Sequence, residues 1–158
     1  MFLKITQIET KKLIGFATLT SLADDKTPLI WRQLMPRLKE VKNAVNADLF
    51  SVQVYDINSF QYFTSHTTFT KYALVEVKNY DLIPDQFITF KISQGQYAGF
   101  LHKGTSADFY KTLQFIFEEW LPNSQYLLDN RPHFAVMGDN YYGHENPNSE
   151  EEIWIPIL

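Results

Sequence analysis

One stretch of nine residues occurs twice, and it constrains the chain more than any other feature. Ile8-Glu9-Thr10-Lys11-Lys12-Leu13-Ile14-Gly15-Phe16 is echoed by Ile92-Ser93-Gln94-Gly95-Gln96-Tyr97-Ala98-Gly99-Phe100, with Ile8 and Ile92, Gly15 and Gly99, and Phe16 and Phe100 matched at one constant offset. The same order of elements follows each copy. After the second, the strand ends at His102-Lys103-Gly104, Thr105 stands at an N-cap position with Asp108 three residues on, and Phe109, Leu113, Ile116, Phe117 and Trp120 recur at helical spacing until Leu121-Pro122-Asn123 stops them. After the first, Pro28 suits a helix's first turn, and Ile30, Leu34, Leu38, Val41 and Val45 repeat every three or four residues. Pro36 within that run removes a backbone hydrogen bond and predicts a kink or a division. Two strands close each half: Leu49–Tyr55 and Phe69–Lys78, then His133–Met137 and Glu152–Ile157, separated by polar loops around Asn58–Thr68 and Gly138–Ser149.

The pattern is two strand-helix-strand-strand repeats, about 1–80 and about 86–158, joined by Asn79–Gln86 into one domain spanning 1–158. A half with one helix and three strands cannot cover its own sheet. The predicted fold is therefore α+β: a pseudo-symmetric antiparallel sheet with two helices on one face and a groove between them. Such a groove, walled by helices and floored by a sheet, is a natural ligand site.

Composition narrows the function. A formal net charge of −4 with no cluster of Lys or Arg argues against direct nucleic-acid binding, and a chain entering its first strand at once leaves no room for a helix-turn-helix. There are no cysteines, which fits a cytoplasmic protein and rules out disulfides and thiolate metal sites. No apolar run is long enough for a membrane span. His66, His102, His133 and His144 show no ligand spacing, so neither a metal nor another cofactor is expected. Aromatic residues make up 16% of the chain, which suits an aromatic-walled pocket as well as a thick core.

Several motifs in order, Phe69-Thr70-Lys71-Tyr72-Ala73-Leu74-Val75-Glu76-Val77 with Ile83-Pro84, Tyr97–Gly104, Phe115–Pro122 and Glu152–Ile157, resemble the GyrI-like small-molecule-binding domain, also called the AraC-type effector-binding domain. The resemblance covers nearly the whole chain. It implies binding of amphipathic ligands, often cationic, and in some members hydrolysis of ligands. Many members carry Phe-Glu-x-Tyr where this chain has Phe134-Ala135-Val136-Met137, so the family's usual acid and phenol are replaced by Ala135 and Met137. That substitution weighs against an enzyme.

The candidate ligand-binding residues are Glu76, Trp154, Tyr55, Met137, Glu152, Trp31, Phe115 and Tyr97. Strand alternation puts Tyr72, Leu74 and Glu76 on one face. If that face is the groove, Glu76 is a desolvated acid suited to a lipophilic cation; otherwise it is solvated or paired with a nearby Lys or Tyr. Glu152 and Trp154 share a face of the last strand, where Trp154 serves as pocket wall or core. Ser51, Gln53 and Tyr55 share a face of their strand. Trp31, Tyr97 and Phe115 are aromatic candidates that core packing explains equally well. The leading function is a stand-alone binder or sensor of amphipathic, cationic or aromatic small molecules. The alternatives are an interaction module acting on a regulatory protein partner and a hydrolase of strained electrophilic ligands.

Overall fold

The computed structural model describes residues 1–56 and 63–158. Strands β1 (Phe2–Ile8) and β2 (Lys11–Thr20) lead into helix α1 (Thr27–Leu34), then β3 (Ala44–Val54) and β4 (Phe69–Val77). The second half repeats this as β5 (Ile88–Ile92), β6 (Gly95–Lys103), α2 (Phe109–Gln114), β7 (His133–Met137) and β8 (Glu150–Pro156). Each half thus opens with two strands, broken at Glu9-Thr10 and at Ser93-Gln94. Positions 58–62 of the expected polar loop lie outside the described residues.

All eight strands form one antiparallel sheet in the order β1-β6-β8-β7-β3-β4-β2-β5. The order is symmetric about the β3–β7 pair, where Ser51 faces Ala135, Gln53 faces His133 and Leu49 faces Met137. The offset that matches Gly15 to Gly99 also carries Ser51 to Ala135, so this pair lies on the pseudo-twofold axis. Each half lends its first strand to the other: β1 pairs with β6, and β5 pairs with β2.

Closure follows from two short links. Edge strand β1 continues through Glu9-Thr10 into β2, which sits next to the opposite edge, and β5 continues through Ser93-Gln94 into β6 in the mirrored way. The sheet must curl until its edges meet. The Thr10 hydroxyl accepts from the Gln94 backbone N–H at 3.3 Å where the links pass. One face therefore becomes an interior filled from every strand, with Leu13, Phe50, Val52, Leu74, Ile92, Tyr97, Phe134 and Trp154 buried and Ile8 packed against them. The other face carries α1 over Ile14, Phe16, Ala73, Val75 and Val77, and α2 with its continuation over Ala98, Phe100, Ala135, Ile153 and Ile155.

The helices differ from the spacing read in the sequence. Pro28 occupies the first turn of α1 as expected, but the α-helix ends at Leu34 and Pro36 starts a 3₁₀ turn over Met35–Glu40. Val41 lies beyond it and Val45 belongs to β3. Missing the N–H of Pro36, the chain tightens to i+3 bonds and then turns out. Thr105 precedes a short 3₁₀ turn, Ser106–Asp108, without a side-chain cap to the backbone. After Gln114, α2 widens into a π-wound segment, Phe115–Trp120, and ends at Leu121–Asn123.

The matched glycines permit two close approaches. A Cβ on Gly15 would lie against the carbonyl oxygen of Ala73, whereas one on Gly99 would enter the six-membered ring of Trp154. Gly99→Ala is expected to cost about 1–3 kcal/mol by overpacking. Trp154→Leu should suppress part of that loss. Gly15→Ala meets backbone and should have no side-chain suppressor. Urea unfolding of the single and double variants checks both expectations.

Candidate functional site

The β3–β7 pair is the floor of the space between the helices. On the helix-bearing face it presents three levels: Gln53 with His133, then Ser51 with Ala135, then Leu49 with Met137. Small residues, Ser51 and Ala135, sit on the axis, and both are buried, Ala135 in the cluster that includes Ile116. Lys71 extends the first level through its pairing with Gln53. Glu151, on the same face of β8 as Ile153, extends the third level on the Met137 side, beside His102 of β6. The pairings that put Ala73 beside Ser51 and Ile153 beside Ala135 make Lys71 and Glu151 equivalent positions of the two halves.

Aromatic side chains close one end of the floor. The Tyr55 ring packs on Phe69 (5.1 Å between centroids), on His133 (5.2 Å) and on Phe63 (6.0 Å), while Phe117, from the π-wound segment, stacks on His133 at 6.0 Å. A cleft of about 240 Å³ opens beside them, between Tyr55, His133 and the Leu128–Arg131 segment. A second, of about 270 Å³, opens at the Met137 end among Asp48, Gly138–Asn140 and Glu150–Glu152.

Desolvation dominates the site's electrostatics. It pulls the Lys71 ammonium down to about 8, against the opposing pull of Glu151 and Asp25. It pushes the Glu151 carboxyl up, against His102 and Lys71. It raises the Tyr55 phenol to about 12 and lowers His133 to about 4, so both are neutral at pH 7. With the Gln53 amide turned to satisfy its neighbours, its oxygen accepts from Lys71 Nζ and its nitrogen donates to the His133 carbonyl at 3.2 Å. His102 bridges β6 and α2: Nε2 donates to the Thr105 carbonyl at 3.0 Å, and Nδ1 pairs with the Thr112 hydroxyl at 2.7 Å.

Against this geometry, two of the eight sequence candidates, Tyr55 and Met137, are on the groove floor. Glu76 is not. It shares its face with Leu74 and Leu13, on the interior side of the curled sheet, where Lys11 Nζ pairs with it at 3.4 Å and also lies over the Phe50 ring. Of the two placements the sequence leaves open for Glu76, it takes the one paired with a Lys, and alternation sends Lys71, Ala73 and Val75 to the groove face instead. Trp154 and Tyr97 are likewise interior, Trp154 stacked on Phe134 and Tyr97 donating to the Pro132 carbonyl at 3.2 Å. Glu152 shares the face of Trp154 but is exposed at its edge. Trp31 and Phe115 are partly buried against the clusters beneath their own helices. Lys71 and Glu151 were not singled out by the sequence. Their signal was parity with Ser51 and Gln53, once the floor strands are known to pair with each other.

The sequence profile of the integron-associated effector binding protein family, Cass2, matches residues 4–157. The chain belongs to this family. The transcriptional regulator BrlR of Pseudomonas aeruginosa is 23% identical over 157 residues, which cover 99% of this chain and 56% of BrlR, so the chain spans about half that regulator's length. SAV2435, solved bound to tetraphenylphosphonium, has the same fold with a TM-score of 0.73 at 11% identity, covering all of this chain and 94% of the other. The integron cassette protein VCH_CASS2, from the mobile metagenome of Vibrio cholerae, superposes with a TM-score of 0.64 at 16% identity, covering 98% and 95%. Among the described residues no helix is long and apolar enough to cross a membrane. Ala135 and Met137, which replace the acid and phenol that many effector-binding domains carry, both face the groove.

His133 makes the site pH-sensitive. Between about pH 6.5 and about pH 4 the unfolded chain binds a proton at His133 that the folded chain does not, so stability falls as pH is lowered, by up to about 1.4 kcal/mol per unit. The raised Glu151 acts in the opposite direction, so the His133 contribution is read as a difference between proteins. Urea unfolding at about pH 7 and about pH 4.5 should show a stability drop smaller by roughly 2–3 kcal/mol in His133→Gln than in the parent. Equal drops would exclude the effect.

Proposed function

We propose that the groove over Ser51 and Ala135 receives amphipathic aromatic small molecules and that the chain acts as their sensor in a cytoplasmic regulatory response. The floor arrangement carries this reading: small residues on the axis, flanked by Tyr55, Phe117 and Met137, with desolvated polar groups at both ends. An aromatic ligand laid on that floor gains about 25 cal/mol per Å² of apolar surface removed from water. Tyr55 and Phe117 can turn aside at the cost of ring contacts that a ligand ring replaces. Membership of an effector-binding family and a same-fold protein bound to tetraphenylphosphonium support the ligand class. Residues 1–158 act as one unit in this reading, because strands β1 and β5 are exchanged between the halves.

The aromatic packing of Tyr55, Phe117 and His133 over one end of the floor favours a second reading, in which this face is held closed and the molecule acts through a regulatory protein partner. A hydrolase reading gains nothing from Ala135 and Met137, which offer neither a proton donor nor a base.

Calorimetric titration with tetraphenylphosphonium and with triphenylphosphine oxide, its neutral counterpart, tests the first reading. Saturable binding of at least one is expected at concentrations on the order of 10 μM. Ala135→Leu, which fills the middle of the floor, should weaken it about tenfold, with the thermal midpoint reporting on the fold. Glu76→Gln should leave it unchanged. Absence of binding at millimolar ligand would overturn the proposal and leave the interaction module.

A further inference from the structure

The groove is not symmetric in charge, although its backbone is. Equivalent positions of the two halves carry Lys71 and Glu151, and both side chains rise from the helix-bearing face. Their backbone positions are three strand-widths apart and four residues out of level, roughly 14 Å across and 13 Å along the sheet at ordinary strand spacings, and their side chains are near enough for each charge to act on the other. Ser51 and Ala135 lie between them. Each group has an incomplete set of partners, although the two charges act on one another. No carboxylate lies within 4 Å of Lys71 Nζ among the described residues, and its one acceptor is the Gln53 amide oxygen. An ammonium has three donors, so two remain for a ligand. The Glu151 carboxylate has no hydrogen-bond or ion partner among the described residues, with only the His102 ring and Lys71 acting on it at longer range. Both groups are desolvated, which raises the gain from giving each a counter-charge.

We propose that this groove selects zwitterionic amphiphiles, an aromatic body with a carboxylate at one end docked on Lys71 and Gln53 and an ammonium at the other docked on Glu151. The assignment rests on the groove being the ligand site and adds the ligand's charge pattern and orientation. A ligand with a cation alone leaves the Lys71 ammonium beneath it with no counter-charge from the ligand and only the Gln53 amide as acceptor. A ligand with an anion alone likewise leaves Glu151 with no counter-charge from the ligand. Only a body bearing both groups compensates both ends. Because the two ends differ in sign, such a ligand has one favoured orientation on a floor whose backbone alone would accept two.

The full chain is titrated by calorimetry with 4′-(aminomethyl)biphenyl-4-carboxylic acid, its methyl ester, its N-acetyl derivative and the doubly capped neutral compound. The zwitterion is expected to bind about tenfold or more tightly than either singly capped form. Lys71→Gln should abolish the preference for acid over ester and leave the amine preference intact. Glu151→Gln should abolish the preference for amine over N-acetyl and leave the acid preference intact. If a variant fails to fold, as circular dichroism would show, the four-ligand series on the parent chain decides alone. Equal binding of all four compounds overturns the charge pattern and leaves the groove as an apolar ligand site. A preference for the ester overturns it in favour of plain cation binding. Binding of none of these biaryls, together with none of the arylphosphorus compounds, removes the groove as a ligand site and this proposal with it, whereas binding of the arylphosphorus compounds alone refutes this proposal only.

Discussion

Everything in this fold depends on how two dipeptides, Glu9-Thr10 and Ser93-Gln94, connect strands that the hydrogen-bond order places far apart. A flat sheet in the order β1-β6-β8-β7-β3-β4-β2-β5 would hold β1 and β2 many strand-widths from one another, and two residues span at most about 7 Å. The sheet has to roll, and rolling divides its faces into an inside and an outside with different chemistry. The inside collects an apolar side chain from every strand. The outside keeps only what two short helices can cover, and the strip between them, along β3 and β7, is where polar groups remain.

This division explains the placement of the charges. Glu76, on the inside, survives because it lies near the rim, where Lys11 reaches it. Lys71, one strand-face away in the same β4, has no comparable partner. Two charged residues five positions apart on one strand thus serve opposite ends: one pair completes the rim of the core, and the other group is left at the floor of a groove. Arg131 belongs to the first kind. It lies over the Tyr97 ring, pairs with Asp129 at 2.6 Å and donates to the Gln96 and Ile157 carbonyls, fastening the segment before β7 to β6 and to the end of β8.

Much of the architecture was legible in the chain. The Ile-Gly-Phe repeat located both halves, and His133–Met137 was bounded correctly because polar segments flank a short apolar run. The groove was less legible, for a physical reason. In β4 the two faces read Lys71, Ala73, Val75, Val77 and Tyr72, Leu74, Glu76, and both are apolar apart from one charge, since a rolled sheet under helices is covered on both sides. Alternation gives parity but not which parity faces the helices. That is decided by pairing with Ser51 and Ala135, which no local pattern carries. The same limit applies to Glu151 and Glu152, adjacent acids of which only the first faces α2. Val41 and Val45 misled for another reason: their helical spacing persisted by coincidence past Pro36, although the backbone had already left the helix.

The exchange of first strands has a consequence for how the chain comes into being. Because β1 belongs beside β6 and β2 is flanked by β5, the first eighty or so residues leave the ribosome with an open sheet edge and an unfilled interior. Five of the seven strand pairings wait for residues from Ile88 onward, and the last strand, Glu150–Pro156, sits between β6 and β7 rather than at an edge. Such a topology is rich in contacts between distant positions, which slows folding and lengthens the time that unpaired strands are open to wrong partners. The first half can pair β2, β3 and β4 and bury the cluster beneath α1 by itself, but its interior face is closed only once β5 to β8 are present.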